Sequence, residues 1–118
     1  MPISFPPLSL ALTAIVAGAF FALATEAEAA PPLDIDISIK DHKFAPATLN
    51  VPSGVEIKLT VKNLDTTPEE VESYPLGFEK VIPGNQTAVI RVRPLDLGTY
   101  TFFGEYHQDT AQGELVAE

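Results

Sequence analysis

Leu33-Asp34-Ile35-Asp36-Ile37-Ser38-Ile39-Lys40 alternates apolar and polar side chains without a break. Successive side chains of a strand point to opposite faces, so this run can bury one face as a β-strand, whereas a helix would scatter the same residues around its axis. Val55-Glu56-Ile57-Lys58-Leu59-Thr60-Val61-Lys62-Asn63 repeats the pattern, with Val55, Ile57, Leu59 and Val61 inward. Shorter runs at Leu49–Val51, Thr87–Arg93, Gly98–Phe103 and Gln112–Glu118 read the same way. Between them stand Pro52-Ser53-Gly54, Ile82-Pro83-Gly84-Asn85 and Pro94-Leu95-Asp96-Leu97-Gly98. These are turns: proline presets φ and glycine tolerates its positive values. Beyond the first thirty residues no helical period of useful length survives. About seven short strands with Pro/Gly turns predict an all-β protein, an antiparallel β-sandwich.

Two segments break the pattern. Asp41–Pro46 interrupts the first strand; Phe44 is expected to plug the core and Pro46 to end pairing. Asn63–Ser73 is polar and acidic. Thr67, Pro68 and Glu70 could form an N-cap, a first helical position and a capping box. Pro75 and Gly77 leave such a helix little room, so the expectation is a loop with at most one helical turn. An irregular strand around Tyr74–Lys80 follows it.

The first residues read as a targeting segment. Leu8 to Ala24 is almost wholly apolar and leads to Ala27-Glu28-Ala29, a small-x-small cleavage pattern. The expected division is a signal peptide over residues 1–29 and one domain over residues 30–118, exported to the periplasm with no membrane insertion after cleavage. No Lys or Arg precedes the apolar run, and its length is at the short limit of about 17–25 residues for a spanning helix. An uncleaved anchor is therefore the competing reading.

Composition removes several functions. The chain has no cysteine, which rules out a disulfide framework, a zinc ribbon and any thiolate metal site. Its formal net charge is −9, and its seven basic residues form no patch, so nucleic acid is not a partner. An acidic surface instead concentrates cations near the protein.

The chemistry gathers at Gly98-Thr99-Tyr100-Thr101-Phe102-Phe103-Gly104-Glu105-Tyr106-His107, a strand running into a loop. Tyr100, Phe102 and Gly104 share one face of it. The apolar register then breaks and two potential metal ligands follow, Glu105 and His107. Tyr106 lies between them as a candidate hydrogen-bond donor.

Phe44-x-Pro46, Leu49-x-Val51-Pro52-x-Gly54, Val61-x-Asn63-x-Asp65, Pro83-Gly84 and Gly98-x-Tyr100-x-Phe102 running to His107 and Gly113 together resemble the cupredoxins. The resemblance implies a Greek-key sandwich with a metal site at one end. A blue-copper site takes two His, one Cys and a weak axial Met. Counted against that pattern, the Cys position is Gly104, the first His position falls at Glu69 or Glu70, and no Met follows His107. A blue-copper electron carrier is thereby excluded. More narrowly, Thr67–Ser73, Glu79–Gly84 and Phe102–His107 resemble cupredoxin-like domains of bacterial periplasmic iron-uptake systems, which work beside an iron permease. That resemblance implies a carboxylate and histidine site at Glu69, Glu70, Glu79, Glu105 and His107. Glu72 and His42 are secondary candidates. His42, at a strand end outside these loops, reads more as a surface or hydrogen-bonding residue.

Oxygen donors with an imidazole suit iron, manganese or Cu(II) better than Cu(I), which prefers sulfur. The implied cofactor is an iron or copper ion, and the implied partners are the iron permease and its periplasmic companions. Two other functions compete: oxidation of Fe(II) before import, and a structural or adaptor domain that has lost its metal.

Overall fold

The computed structural model describes residues 1–7, 9, 11, 13–23 and 30–118. The cleavage pattern at Ala27–Ala29 lies outside the described residues. Among the described residues, no helix is long and apolar enough to cross a membrane.

Among the described residues, nine strands form two sheets packed face to face. They are β1 (Leu33–Lys40), β2 (Lys43–Ala45), β3 (Thr48–Val51), β4 (Ile57–Asn63), β5 (Glu69–Ser73), β6 (Phe78–Ile82), β7 (Thr87–Val92), β8 (Gly98–Gly104) and β9 (Gln112–Ala117). One sheet has the order β2-β1-β4-β7, the other β3-β9-β8-β5-β6. The all-β sandwich is as expected, but both sheets are mixed. β1 runs parallel to β4, with Ile37 opposite Val61, and β3 runs parallel to β9, with Leu49 opposite Leu115. Alternation reports which face a residue occupies and is silent on which strand lies beside it, so it could not exclude parallel neighbours.

Most of the core is what the alternation selected, but Leu33 is exposed, Val55 lies before β4 and is half-buried, and Leu76, Leu95 and Ala111 join from turns and loops. Ile37, Ile39, Ile57, Leu59, Val61, Ile90 and Val92 come from one sheet, and Leu49, Val51, Val71, Ile82, Phe102, Leu115 and Ala117 from the other. Phe44 is buried and meets Phe102 edge to face, with ring centroids 4.9 Å apart. The Ala45–Pro46 peptide is cis, and pairing of β2 with β1 stops at Ala45.

Two segments differ from the sequence reading. Residues Glu69–Ser73 form a regular strand and not a loop or helical turn. They bury Glu69, Val71 and Ser73 and turn Glu70 and Glu72 outward. Pairing with β6 and β8 on either side overrides the weak β-propensity of the glutamates. The irregular strand expected around Tyr74–Lys80 resolves into a turn followed by β6. Gly77 makes that turn possible, with φ at +70°.

The C-terminal ends of β1, β4 and β8 and the N-terminal end of β5 lie at one end of the sandwich. Asn63 ties its loops together. Its buried side-chain amide donates to the carbonyls of Thr67 (2.9 Å), Ile82 (3.1 Å) and Pro83 (3.3 Å). Its carbonyl oxygen accepts from the Asp65 amide at 3.1 Å.

Candidate metal centre

Asp41 and His42 are the two residues of the β1–β2 hairpin turn, and both have positive φ, 51° and 58°. This is the type I′ geometry whose twist matches the strands it joins. Neither residue is glycine, so the left-handed conformation needs outside support. Asp65 supplies it: one carboxylate oxygen accepts the Asp41 amide at 2.8 Å and the other the His42 amide at 3.0 Å. The His42 amide and then the Asp41 amide hold the Asp65 carboxyl below the usual carboxylate range, against its partial desolvation. The second carboxylate oxygen also lies 3.4 Å from His42 Nδ1.

The turn lays the His42 ring flat on that of His107, with centroids 3.5 Å apart and planes 10° from parallel. His107 ends the single turn of 3-10 helix, Glu105–His107, that follows β8. Its Nδ1 meets Glu69 Oε2 at 2.5 Å. Glu69 is 1 % exposed. Its other oxygen, Oε1, accepts the backbone amides of Tyr106 (2.9 Å) and Glu70 (3.1 Å). A buried carboxylate is costly unless hydrogen-bonded, and this one receives three such contacts.

Gly104 makes room for it. A Cβ on Gly104 would stand 2.6 Å from Glu69 Cδ and 2.7 Å from Ala111 Cβ. Gly104 is the position that the cupredoxin pattern gives to the metal-binding cysteine. The carboxyl group of Glu69 therefore fills the space beside the position where a thiolate would otherwise project.

The residues singled out in the sequence thus separate into two groups. His42, Glu69 and His107 each offer a ligand atom within 4.8 Å of the others. Glu70, Glu72 and Glu79 do likewise on the outer face of the second sheet, where Glu72 of β5 stands directly opposite Glu79 of β6. Glu105 joins the outer group: its charge raises the Glu72 and Glu79 carboxyls. The expectation that Glu69 and Glu70 occupy one site is corrected by the strand they share, since neighbouring residues of a strand face opposite ways. His42, read as a surface or hydrogen-bonding residue and a secondary candidate, keeps a partly exposed side chain beside Asp65, and the β1–β2 turn also brings it onto His107. The alternation Glu70-Val71-Glu72-Ser73 was the signal for the correction of Glu69 and Glu70, and the two-residue gap between Lys40 and Lys43 was the signal for the place of His42.

The outer carboxylates are strained by their own charge. A hydrogen bond to Glu70, followed by the charges of Glu70 and Glu72, raises Glu79 above its ordinary value. Desolvation first, then the charges of Glu105 and Glu70, raises Glu72. Desolvation and then the Glu70 charge raise the Tyr106 hydroxyl. A carboxyl whose folded pKa exceeds its unfolded value stabilises the protein least at high pH. The penalty is absent below about pH 4 and is fully present once pH has risen through the folded value. Glu79→Gln is therefore expected to raise the melting temperature at neutral pH in low salt. The gain should vanish in acid and shrink in added salt. A thermal melt that is lower than the parent's at pH 7 would refute this account.

A two-sheet sandwich with imidazole and carboxylate donors gathered at one end is a cupredoxin-like domain without the sulfur ligands of blue copper. The chain belongs to the cupredoxin-like domain family, which it matches over residues 11–117. It is 44 % identical over 84 residues to an uncharacterized protein of Rickettsia prowazekii (strain Madrid E), covering 71 % of this chain and 67 % of that one. Among solved structures it resembles auracyanin A, a blue copper protein of Chloroflexus aurantiacus, with a TM-score of 0.64 and 16 % identity over 75 % of this chain and 100 % of that one. It also resembles the metal-binding domain of the Cu(I)-exporting ATPase CopA of Streptococcus pneumoniae, with a TM-score of 0.59 and 20 % identity over 72 % and 84 % of the two chains. At such identities these likenesses show a shared fold.

Proposed function

We propose that this chain is an exported metal-binding protein that assists iron uptake through an iron permease, and that its metal centre is built on His42, Glu69 and His107. The observation that carries the reading is the buried Glu69 carboxylate joined to His107, with the His42 ring stacked over it. The centre offers no sulfur, and imidazole backed by carboxylate suits iron or Cu(II) better than Cu(I). Either ion, once bound, supplies one-electron redox chemistry. Around it the chain's own residues define the site: Asn63 and Asp65 fix the loops, and Gly104 leaves space for the carboxylate.

Two further features support the iron assignment and a third supports export. The segments that resemble iron-uptake domains, Thr67–Ser73, Glu79–Gly84 and Phe102–His107, fall largely on β5, β6 and the end of β8, which are neighbours in one sheet. The outer carboxylates Glu70, Glu72, Glu79 and Glu105 give cations a path of negative charge toward that end. The apolar run ahead of Ala27-Glu28-Ala29 supports export.

Isothermal titration of the purified chain with Fe(II), Fe(III)-citrate and Cu(II) tests the reading. Binding of at least one of these ions is expected, with His107→Ala weakening it more than tenfold, or about 1.4 kcal/mol. Absence of any binding tighter than about 1 mM, or an unchanged affinity in His107→Ala, would defeat it.

A further inference from the structure

The hydrogen bonds around Glu69 separate residues that touch the ion from residues that hold the ligands in place. Glu69 Oε1 is engaged by two backbone amides, of Tyr106 and Glu70, and Oε2 by His107 Nδ1. The carboxylate is anchored at three points, and its side chain is 2 % exposed. A carboxylate accepts and cannot donate, so the proton between it and the ring belongs to His107 Nδ1 in the neutral imidazole. The nitrogen left with a free lone pair is then Nε2. The side chain of His107 remains 27 % exposed, against 2 % for Glu69.

His42 has a looser counterpart, a close approach without a hydrogen bond. Asp65, itself held by the amides of Asp41 and His42, stands 3.4 Å from His42 Nδ1. Two stacked imidazoles thus each have Nδ1 turned to a carboxylate that backbone amides have fixed. Stacking at 3.5 Å sets their remaining in-plane lone pairs side by side and not convergent. The His42 side chain is 41 % exposed and held at the longer distance, so it is the ring free to turn toward a shared ion, while His107 stays where Glu69 keeps it.

The geometry points to Glu69 as a positioning residue and not a ligand: it fixes the proton of His107 on Nδ1 so that a cation is taken at Nε2. This assignment rests on the proposed metal centre and narrows its direct donors to the imidazoles, with Glu69 standing behind His107. A carboxylate behind a metal-bound imidazole fixes the ring's tautomer and orientation and raises its basicity, and its loss costs about 10–100-fold in metal affinity.

Two measurements on the purified chain test it. Long-range proton–nitrogen NMR spectra of the metal-free protein at about pH 8, above the ordinary histidine pKa, should show His107 protonated on Nδ1. Addition of NMR-active cadmium should then give direct coupling to His107 Nε2 and none to Nδ1. In Glu69→Gln the side-chain NH2 must face either the two backbone amides or the ring. The tautomer preference should fall, and cadmium should bind about 10–100-fold more weakly, still through Nε2. Coupling at Nδ1, or a metal-free ring protonated on Nε2, overturns the assignment and makes Glu69 a ligand beside Nδ1. No coupling to either nitrogen of His107, together with unchanged iron and copper titrations in His107→Ala, would mean that the metal centre itself is misplaced.

Discussion

Truncating Phe102 to alanine is expected to lower the unfolding free energy by about 3–5 kcal/mol. Phe102 has no exposed surface and packs edge to face on Phe44, linking the two sheets through one aromatic pair. Its register partner on β9 is Gly113, and a Cβ there would run into the Phe102 ring. Glycine is placed where the ring needs room, so removing the ring leaves a void that neighbouring side chains cannot close. Domains of this size are stable by only about 5–15 kcal/mol, and the variant should lose a large share of that. Urea unfolding followed by circular dichroism measures it. A loss under about 1 kcal/mol would show that the core relaxes around the gap and that Phe102 is not central to it.

Gly104→Ala is expected to damage stability and metal binding together. The backbone at Gly104 is ordinary extended chain, φ −96° and ψ 111°, so alanine brings no conformational strain. What it brings is a methyl group 2.6 Å from Glu69 Cδ and 2.8 Å from Glu69 Oε1. Overpacking of this kind costs about 1–3 kcal/mol, and here the carboxylate must move off its three donors. Cu(II) or Fe(II) affinity should fall at least about tenfold, since His107 loses its support. Glu69→Ala in the same chain should restore part of the stability, with a coupling of about 0.5–3 kcal/mol in a double-mutant cycle. Strict additivity of the two substitutions would show that they do not share this space.

The sandwich was legible in the sequence because β1, β4 and β8 carry their apolar residues at every second position, and burial of Ile37, Ile39, Leu59, Val61 and Phe102 follows directly. Glu69–Ser73 was not, since Thr67-Pro68-Glu69-Glu70 carries helix-start chemistry and only the pairing with β6 and β8 makes it a strand. The candidate site divides in the same way. His107, Glu69 and the acidic residues were visible from their type and from the cupredoxin pattern. The part of His42 was hidden because a type I′ turn usually announces itself with Asn-Gly or Asp-Gly. Here the positive φ values of Asp41 and His42 rest on Asp65, more than twenty positions away, and no local pattern records that support. The separation of Glu69 from Glu70 follows from strand geometry alone once the strand is recognised.

The parallel pairing of β1 with β4 has a bearing on when an ion can be captured. His42 comes from the first hairpin, Glu69 from the middle of the chain and His107 from near its end, and they meet only after the long-range strands have docked. An extended chain brings these three side chains together nowhere, so under the proposed function it is the folded domain, and not the unfolded polypeptide, that takes up an ion. On that reading loading follows folding, and each tenfold excess of free ion over its dissociation constant would tighten the fold by about 1.4 kcal/mol.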